Sequence, residues 1–220
     1  YDEAFTEPVP VHALGTLIHT IEAYMAAAEA TTEPEWLDRA EKMTAFAYKV
    51  ASKNNWRIPE YYAEEWQPSL EAGKLCNDGR RYHEGYVTGH SMQLARFALQ
   101  VRAGLRSTGW AVPDYLMELG TELFERARVD GWRRTDGAPG FSTAVNDQGN
   151  PVPGEDEHQQ WVVCEGVCAT VAVRRAMLDD GHRIDEVEHF EHCYRSFVDY
   201  IHDYLIAQPG RWIRRLGPHN

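Results

Sequence analysis

Three polar pairs interrupt segments of the 220-residue chain that are otherwise poor in charge: His19 with Glu22, His90 with Gln93, and Trp161 with Glu165. The members of each pair stand three or four residues apart, so on a helix they share one face. Burying imidazoles and carboxylates without partners is costly, and their recurrence at matching points of three such segments requires a reason. One reason is a pocket holding two imidazoles and several hydrogen-bonding groups, suited to a polyhydroxylated ligand and to general acid/base catalysis. The competing reason is structural, with Glu22 and Glu165 tying helices to loop backbone or to arginines. His90 favours the chemical reading. It follows Thr88-Gly89, where a threonine cap is expected to start a helix and put the ring in the first turn. There the helix dipole disfavours positive charge on the ring and helps keep a neutral base available. Trp161 offers a flat face that complements the C–H face of a pyranose, and equally suits core packing.

Other constellations carry less. The spacing His189-Phe-Glu-His192-Cys193 offers three groups to zinc, but it lies on a charged helix with no further ligand in view, so no metal is expected. Cys164 and Cys168, four apart, read as small apolar packing groups. Phosphate-binding, dinucleotide-binding and nucleophile-elbow patterns are absent from the sequence, and the chemistry needs no organic cofactor.

The elements that must position these residues are helices. Apolar residues recur at three and four, as in Ile18, Ile21, Met25 and Ala28, or Leu94, Phe97, Ala98 and Val101. Proline and glycine clusters punctuate them at Glu33-Pro34, Val112-Pro113, Gly137-Ala-Pro-Gly140, Gly149-Asn-Pro151 and Gln208-Pro-Gly210. One helix type is expected from about Leu14 to Ala30, Gly89 to Leu105 and Gln159 to Leu178, rich in small residues. A second is expected from about Pro34 to Ser52, Pro113 to Arg128 and Asp185 to Ile206, charged on one face. Each of the second type precedes a tryptophan, at Trp56, Trp132 and Trp212. The repeat of roughly 70–80 residues is that of a helical hairpin with long loops. Inner helices alternating with outer ones predict an α/α solenoid or a closed α/α toroid.

Composition bounds the partners. With 43% hydrophobic and 11% aromatic residues the chain can build a core. A net charge of −12 argues against nucleic acid and against a polybasic membrane patch. Four cysteines, Cys76, Cys164, Cys168 and Cys193, make no disulfide framework, so reduced thiols and a cytoplasmic setting are expected. Neither a signal peptide nor an apolar run of about 18 residues is seen. Tyr1 in first place suggests a piece of a longer chain.

The residues also resemble a known family. Ile18-His19-Thr-Ile-Glu22-Ala23, followed by Ala26-Ala-Ala28-Glu29 and Pro34-Glu-Trp36-Leu37, resembles the asparagine-x-asparagine-methionine-histidine helix of the N-acylglucosamine 2-epimerase and aldose–ketose isomerase family. Gly89-His90 is similar to its proline-glycine-histidine-x-x-glutamate-tryptophan motif. Phe141 to Val152 and then Trp161-Val-Val-Cys-Glu165 resemble its glycine-phenylalanine loop and tryptophan-glutamate helix, and Gly210-Arg-Trp212 its late glycine-x-tryptophan segment. The pattern is most similar to the mannose isomerase and sulfoquinovose isomerase branch. The resemblance implies an (α/α)6 barrel with its active site at one mouth. It implies that His90 acts with a second histidine, placed beyond Asn220, to shuttle a proton through a cis-enediol(ate), that His19 assists ring opening, and that Trp161 and Glu165 line the pocket. Where the family has a glutamate, this chain has Gln93, which carries no charge to orient His90, and the next tryptophan is Leu94. The two asparagines of the first motif are Gly15 and Leu17.

The expectation is therefore an all-α chain, one α/α-toroid segment over residues 1–220 with three hairpins at about 12–56, 88–132 and 158–212. Its expected function is interconversion of an aldose with its ketose or 2-epimer, with a mannose-like hexose as substrate. The catalytic candidates are His90 and His19, and the substrate-binding candidates Trp161, Glu165, Gln93 and Glu22. The expected partners are the small-molecule sugar and another chain or further hairpins that complete the barrel. Two alternatives stay open: a glycosidase of the same architecture working through Glu22 and Glu165, and a non-catalytic sugar- or protein-binding scaffold.

Overall fold

The computed structural model describes residues 11–69, 85–133, 139–154 and 157–217. Tyr1, Cys76 and Gly137-Ala138 lie outside them. Among the described residues the helices are α1 (Leu14–Thr31), α2 (Pro34–Ala51), α3 (Thr88–Ser107), α4 (Tyr115–Gly131), α5 (Gln160–Asp179) and α6 (Glu188–Tyr200), the last running on through a π-helical turn, Ile201–Leu205.

Local chemistry sets their limits. Thr32 takes a left-handed conformation (φ 60°) and its N–H bonds back to Ala28, closing α1. Pro34, which has no N–H to leave unpaired, opens α2 two residues later. Exposed pairs Glu35–Arg39 and Asp38–Lys42, each one turn apart, support the outer face of α2. Helix α4 starts at Tyr115, after a turn in which the Leu116 N–H reaches the Pro113 carbonyl, and α6 starts at Glu188 after a 3₁₀ turn, Ile184–Val187, so both begin slightly later than their sequence pattern suggests.

Helix α3 lies between α1 and α5 and also packs on α4, while α2 packs on α1 and α4, and α6 on α5. The first, third and fifth helices thus form the inner layer and the others the outer one. Phe124 of α4 meets Phe190 of α6 at 5.6 Å between ring centres, continuing the outer layer. Met92, Leu94, Phe97, Ala98 and Val101 of α3 are all at most 1% exposed, between Ile18 and Ile21 of α1, Leu116, Leu119 and Leu123 of α4, and Val162 and Val173 of α5. At about 1.5–3 kcal/mol for each large apolar side chain removed from water, this shared core is what holds the layers together.

Each hairpin is closed at one end by the same device. A two-residue strand leads into each inner helix and pairs antiparallel with a strand that follows the outer helix: His12–Ala13 with Tyr61–Tyr62, Tyr86–Val87 with Ala144–Val145, and His158–Gln159 with Arg215–Leu216. One residue further on, the first helical N–H of each inner helix bonds across the clip, Leu14 to Glu60, Thr88 to Thr143, and Gln160 to Arg214. These bonds satisfy amides that a helix start otherwise leaves unpaired. A buried ion pair, Arg57 Nε to Asp130 Oδ2 at 2.7 Å with Nη2 to Oδ1 at 3.0 Å, ties the loop after α2 to the end of α4, against Gly149 in the turn that follows the second clip.

Candidate active site

The clips define the register of the repeat. Counted from the first helical residue, Gly15, Gly89 and Trp161 stand second, His90 third in its helix, His19, Gln93 and Glu165 sixth, and Glu22, Arg96 and Cys168 ninth. His19 therefore matches Gln93 and Glu165, one turn deeper than His90, and not His90 itself. The sequence pairing was misled because polar residues three apart look alike when slid by one turn, and backbone pairing at the clip resolves the shift.

His90 sits in the first turn of α3, as expected, though for a different reason. The N-cap is Val87 and makes no side-chain cap bond. Thr88 is already helical, and its hydroxyl donates to the Ser142 carbonyl at 2.7 Å, binding the helix start to the Phe141–Val152 loop. The His90 side chain is 19% exposed, and its Nδ1 lies 2.7 Å from Oε2 of Glu60, a carboxylate 5% exposed. An ionised carboxylate only accepts, so the contact is a hydrogen bond when Nδ1 carries the proton, the tautomer that in the neutral ring leaves the free lone pair on Nε2.

Two small residues shape the space around this ring. A Cβ added to Gly15 would lie 3.6 Å from His90 Cε1 and 3.9 Å from Nε2, so the absent side chain leaves room directly before the basic nitrogen. A Cβ on Gly89 would run into the Trp161 ring at 2.4 Å, and the glycine thereby lets that indole close over the start of α3. Trp161 and His90 stand 5.3 Å apart between ring centres, tilted by 46°, and the indole N–H donates to Gln159 at 2.9 Å.

The remaining candidates fall into deeper layers of the inner face. His19 Nδ1 meets Glu22 Oε2 at 3.1 Å, and both side chains are at least half exposed. Glu165 is bound by Arg96, with Nη2 to Oε2 at 3.0 Å and Nε to the same oxygen at 3.2 Å, both side chains about four-fifths buried. Arg96 also lies 4.3 Å from the centre of the Phe97 ring. Gln93 is 8% exposed. Glu165 thus has the arginine tie anticipated as the structural alternative, and Glu22 has a histidine partner in place of loop backbone. Burial first, then the neighbouring Cys168 and Glu165, pushes the Cys164 thiol up, in keeping with packing rather than nucleophilic work. His189 is engaged by Glu125 at 2.8 Å, and no cluster of three or more metal-binding side chains occurs among the described residues.

Sequence reasoning missed Glu60, the carboxylate that Gln93 fails to supply, and Arg96. Glu60 lies in a loop without periodicity, thirty positions before its partner. Its signal was an isolated acid set between Ile58-Pro59 and Tyr61-Tyr62, where a charge has little reason to be unless it is paired.

Comparison with known proteins identifies the family and the fold. A family model described as N-acylglucosamine 2-epimerase matches residues 2–220. The D-mannose isomerase of Thermobifida fusca is 29% identical over 99% of this chain and 50% of its own length, and that of Pseudomonas cannabina pv. alisalensis is 29% identical over 100% and 51%. The chain thus spans about half the length of the curated relatives it matches. Among solved structures, a D-mannose isomerase crystal structure overlays with a TM-score of 0.81 at 22% identity, covering 98% of this chain and 51% of that one. The cellobiose 2-epimerase of Spirochaeta thermophila DSM 6192 overlays at 0.68 with 17% identity, covering 98% and 46%. At such identities these overlays establish the α/α-toroid fold.

Proposed function

Because the chain belongs to the N-acylglucosamine 2-epimerase family, we propose that its inner face is part of the active site of a sugar isomerase or epimerase acting on a mannose-like hexose. The observation that carries the reading is the His90–Glu60 pair, which leaves Nε2 as a base beside the space at Gly15. In the open-chain aldose, Nε2 takes the proton from C2, the C–H electrons form the C1–C2 double bond, and the carbonyl oxygen gains a proton to give the cis-enediol. Return of a proton to C1 with loss of the O2 proton re-forms the carbonyl at C2 and yields the ketose, and return to the opposite face of C2 with loss of the O1 proton re-forms it at C1 and yields the epimer. Trp161 is the platform for the C–H face of the sugar. His19 assists ring opening, and Gln93, Glu22 and the Arg96-bound Glu165 supply hydrogen bonds to hydroxyls. The proton moves need no metal or organic cofactor. The proposed setting is the cytoplasm, in keeping with free thiols at Cys164 and Cys168. Among the described residues no helix is long and apolar enough to cross a membrane.

The full-length protein is expected to incorporate solvent deuterium at C1 or C2 of mannose, glucose or fructose, followed by NMR. His90→Ala should slow that exchange by at least about 100-fold, the lower end of what a positioned acid/base contributes. Exchange that survives in His90→Ala, or no exchange with any of the three sugars, would refute the assignment and favour a sugar-binding scaffold.

A further inference from the structure

We infer that Glu60 is a positioning residue that locks His90 into the tautomer with the proton on Nδ1, replacing in space the charge that Gln93 lacks in sequence. The inference rests on the isomerase reading only for what Nε2 then does.

Three independent observations converge on Glu60. Its carboxylate is 2.7 Å from Nδ1 and almost wholly buried, a placement that is costly unless the charge is paired. Its backbone is held from both sides: its carbonyl accepts the Leu14 N–H at 2.8 Å, and the next two residues form the clip strand Tyr61–Tyr62. The loop before it is anchored by the buried Arg57–Asp130 pair and by the Asn54 side chain donating to the Arg57 carbonyl at 2.9 Å. The carboxylate therefore arrives at the ring on rigid backbone. A residue held this way fixes ring orientation as well as proton position, because the Nδ1–H···O bond fixes which edge of the imidazole faces the Gly15 space. The flanking Trp161 restricts the ring from a second side. Gln93, one helical turn further along α3, is left free to hydrogen-bond without bearing charge.

The alternative, that Glu60–His90 is only a strut between a loop and α3, makes different predictions. The test uses the full-length protein labelled with ¹⁵N-histidine, the His90 signals being assigned by their loss in His90→Ala. Long-range ¹H–¹⁵N spectra at neutral pH should show one tautomer, with protonated Nδ1 and bare Nε2. Glu60→Gln, whose amide can present either a donor or an acceptor, should give a mixture of tautomers. Its kcat for sugar deuterium exchange should fall about 100-fold, with KM changed less than about threefold, because the loss lies in proton transfer and not in binding. Glu60→Asp should recover part of the kcat and of the single tautomer. A protonated Nε2 in the unsubstituted protein overturns the inference without reference to any variant. So does a Glu60→Gln protein with unchanged tautomer and unchanged kcat. If the unsubstituted protein shows the Nδ1–H tautomer but exchanges no sugar, the pairing stands and the reaction assigned to it falls.

Discussion

At the scale of single residues, what the sequence displayed and what it concealed divide along one line. His90 was visible because a histidine in the first turn of a poorly charged helix is conspicuous, and Trp161 because of its place in an ordered motif. Glu60 was missed because it comes from an aperiodic loop, and Gly15 was noted only as a departure from the family motif, because an absent side chain leaves no mark until its neighbours are known. The two glycines make separable predictions. Gly89→Ala brings a methyl group within 2.4 Å of the Trp161 ring and should destabilise the protein by about 1–3 kcal/mol, read from the urea midpoint, since the indole must leave its place. Gly15→Ala meets His90 only at ordinary contact distance and should leave stability within about 0.5 kcal/mol while lowering kcat/KM for the sugar by filling the space before Nε2. Equal loss of stability in both variants would show that the space at Gly15 is structural.

The helices themselves were legible to within a few residues because a period of 3.6 is written in every apolar stripe. Their register against one another was not, since apolar periodicity fixes a face and says nothing of the translation along it. That translation is set by clips at one end and ion pairs at the other. At the far end of α3, Arg102 Nη2 reaches Asp180 Oδ1 at 2.6 Å and Arg106 Nη2 reaches the same atom at 2.6 Å, joining α3 to the end of α5. Burial raises the Asp180 carboxyl, but the hydrogen bonds from Arg102 and Arg106 outweigh it and hold the group below its ordinary range. A carboxyl lowered in the folded state stabilises above its unfolded value of about 3.9 and loses that contribution as pH falls through the folded value. Asp180→Asn should therefore cost about 1–3 kcal/mol at pH 7, and the gap between it and the unsubstituted protein should narrow by pH 3. Urea titrations of both proteins at the two pH values decide the matter, and a gap that persists in acid would assign the cost to packing.

Over the whole molecule, three hairpins laid side by side leave the flank of α5 and α6 without a further layer among the described residues. Val171 is 49% exposed, and Tyr194 and Val198 are 36% exposed, with Val171 and Tyr194 bordering one groove together with Leu178. The 220-residue chain made alone is expected to self-associate through this flank, and Val171→Glu should shift light scattering toward the monomer. A monodisperse monomer before substitution would contradict this. The clips have a further consequence, for the order in which the structure assembles. Inner and outer helices of a hairpin meet across short turns, whereas each clip must bring together residues as remote as 12 and 62, 86 and 145, or 158 and 216. Closing such long loops costs entropy that only the finished layers repay. The base and its carboxylate therefore stand where the fold closes last, on backbone that becomes rigid only once the clips have formed, and amide exchange at Leu14 and Thr88 should outpace that in the middle of α3.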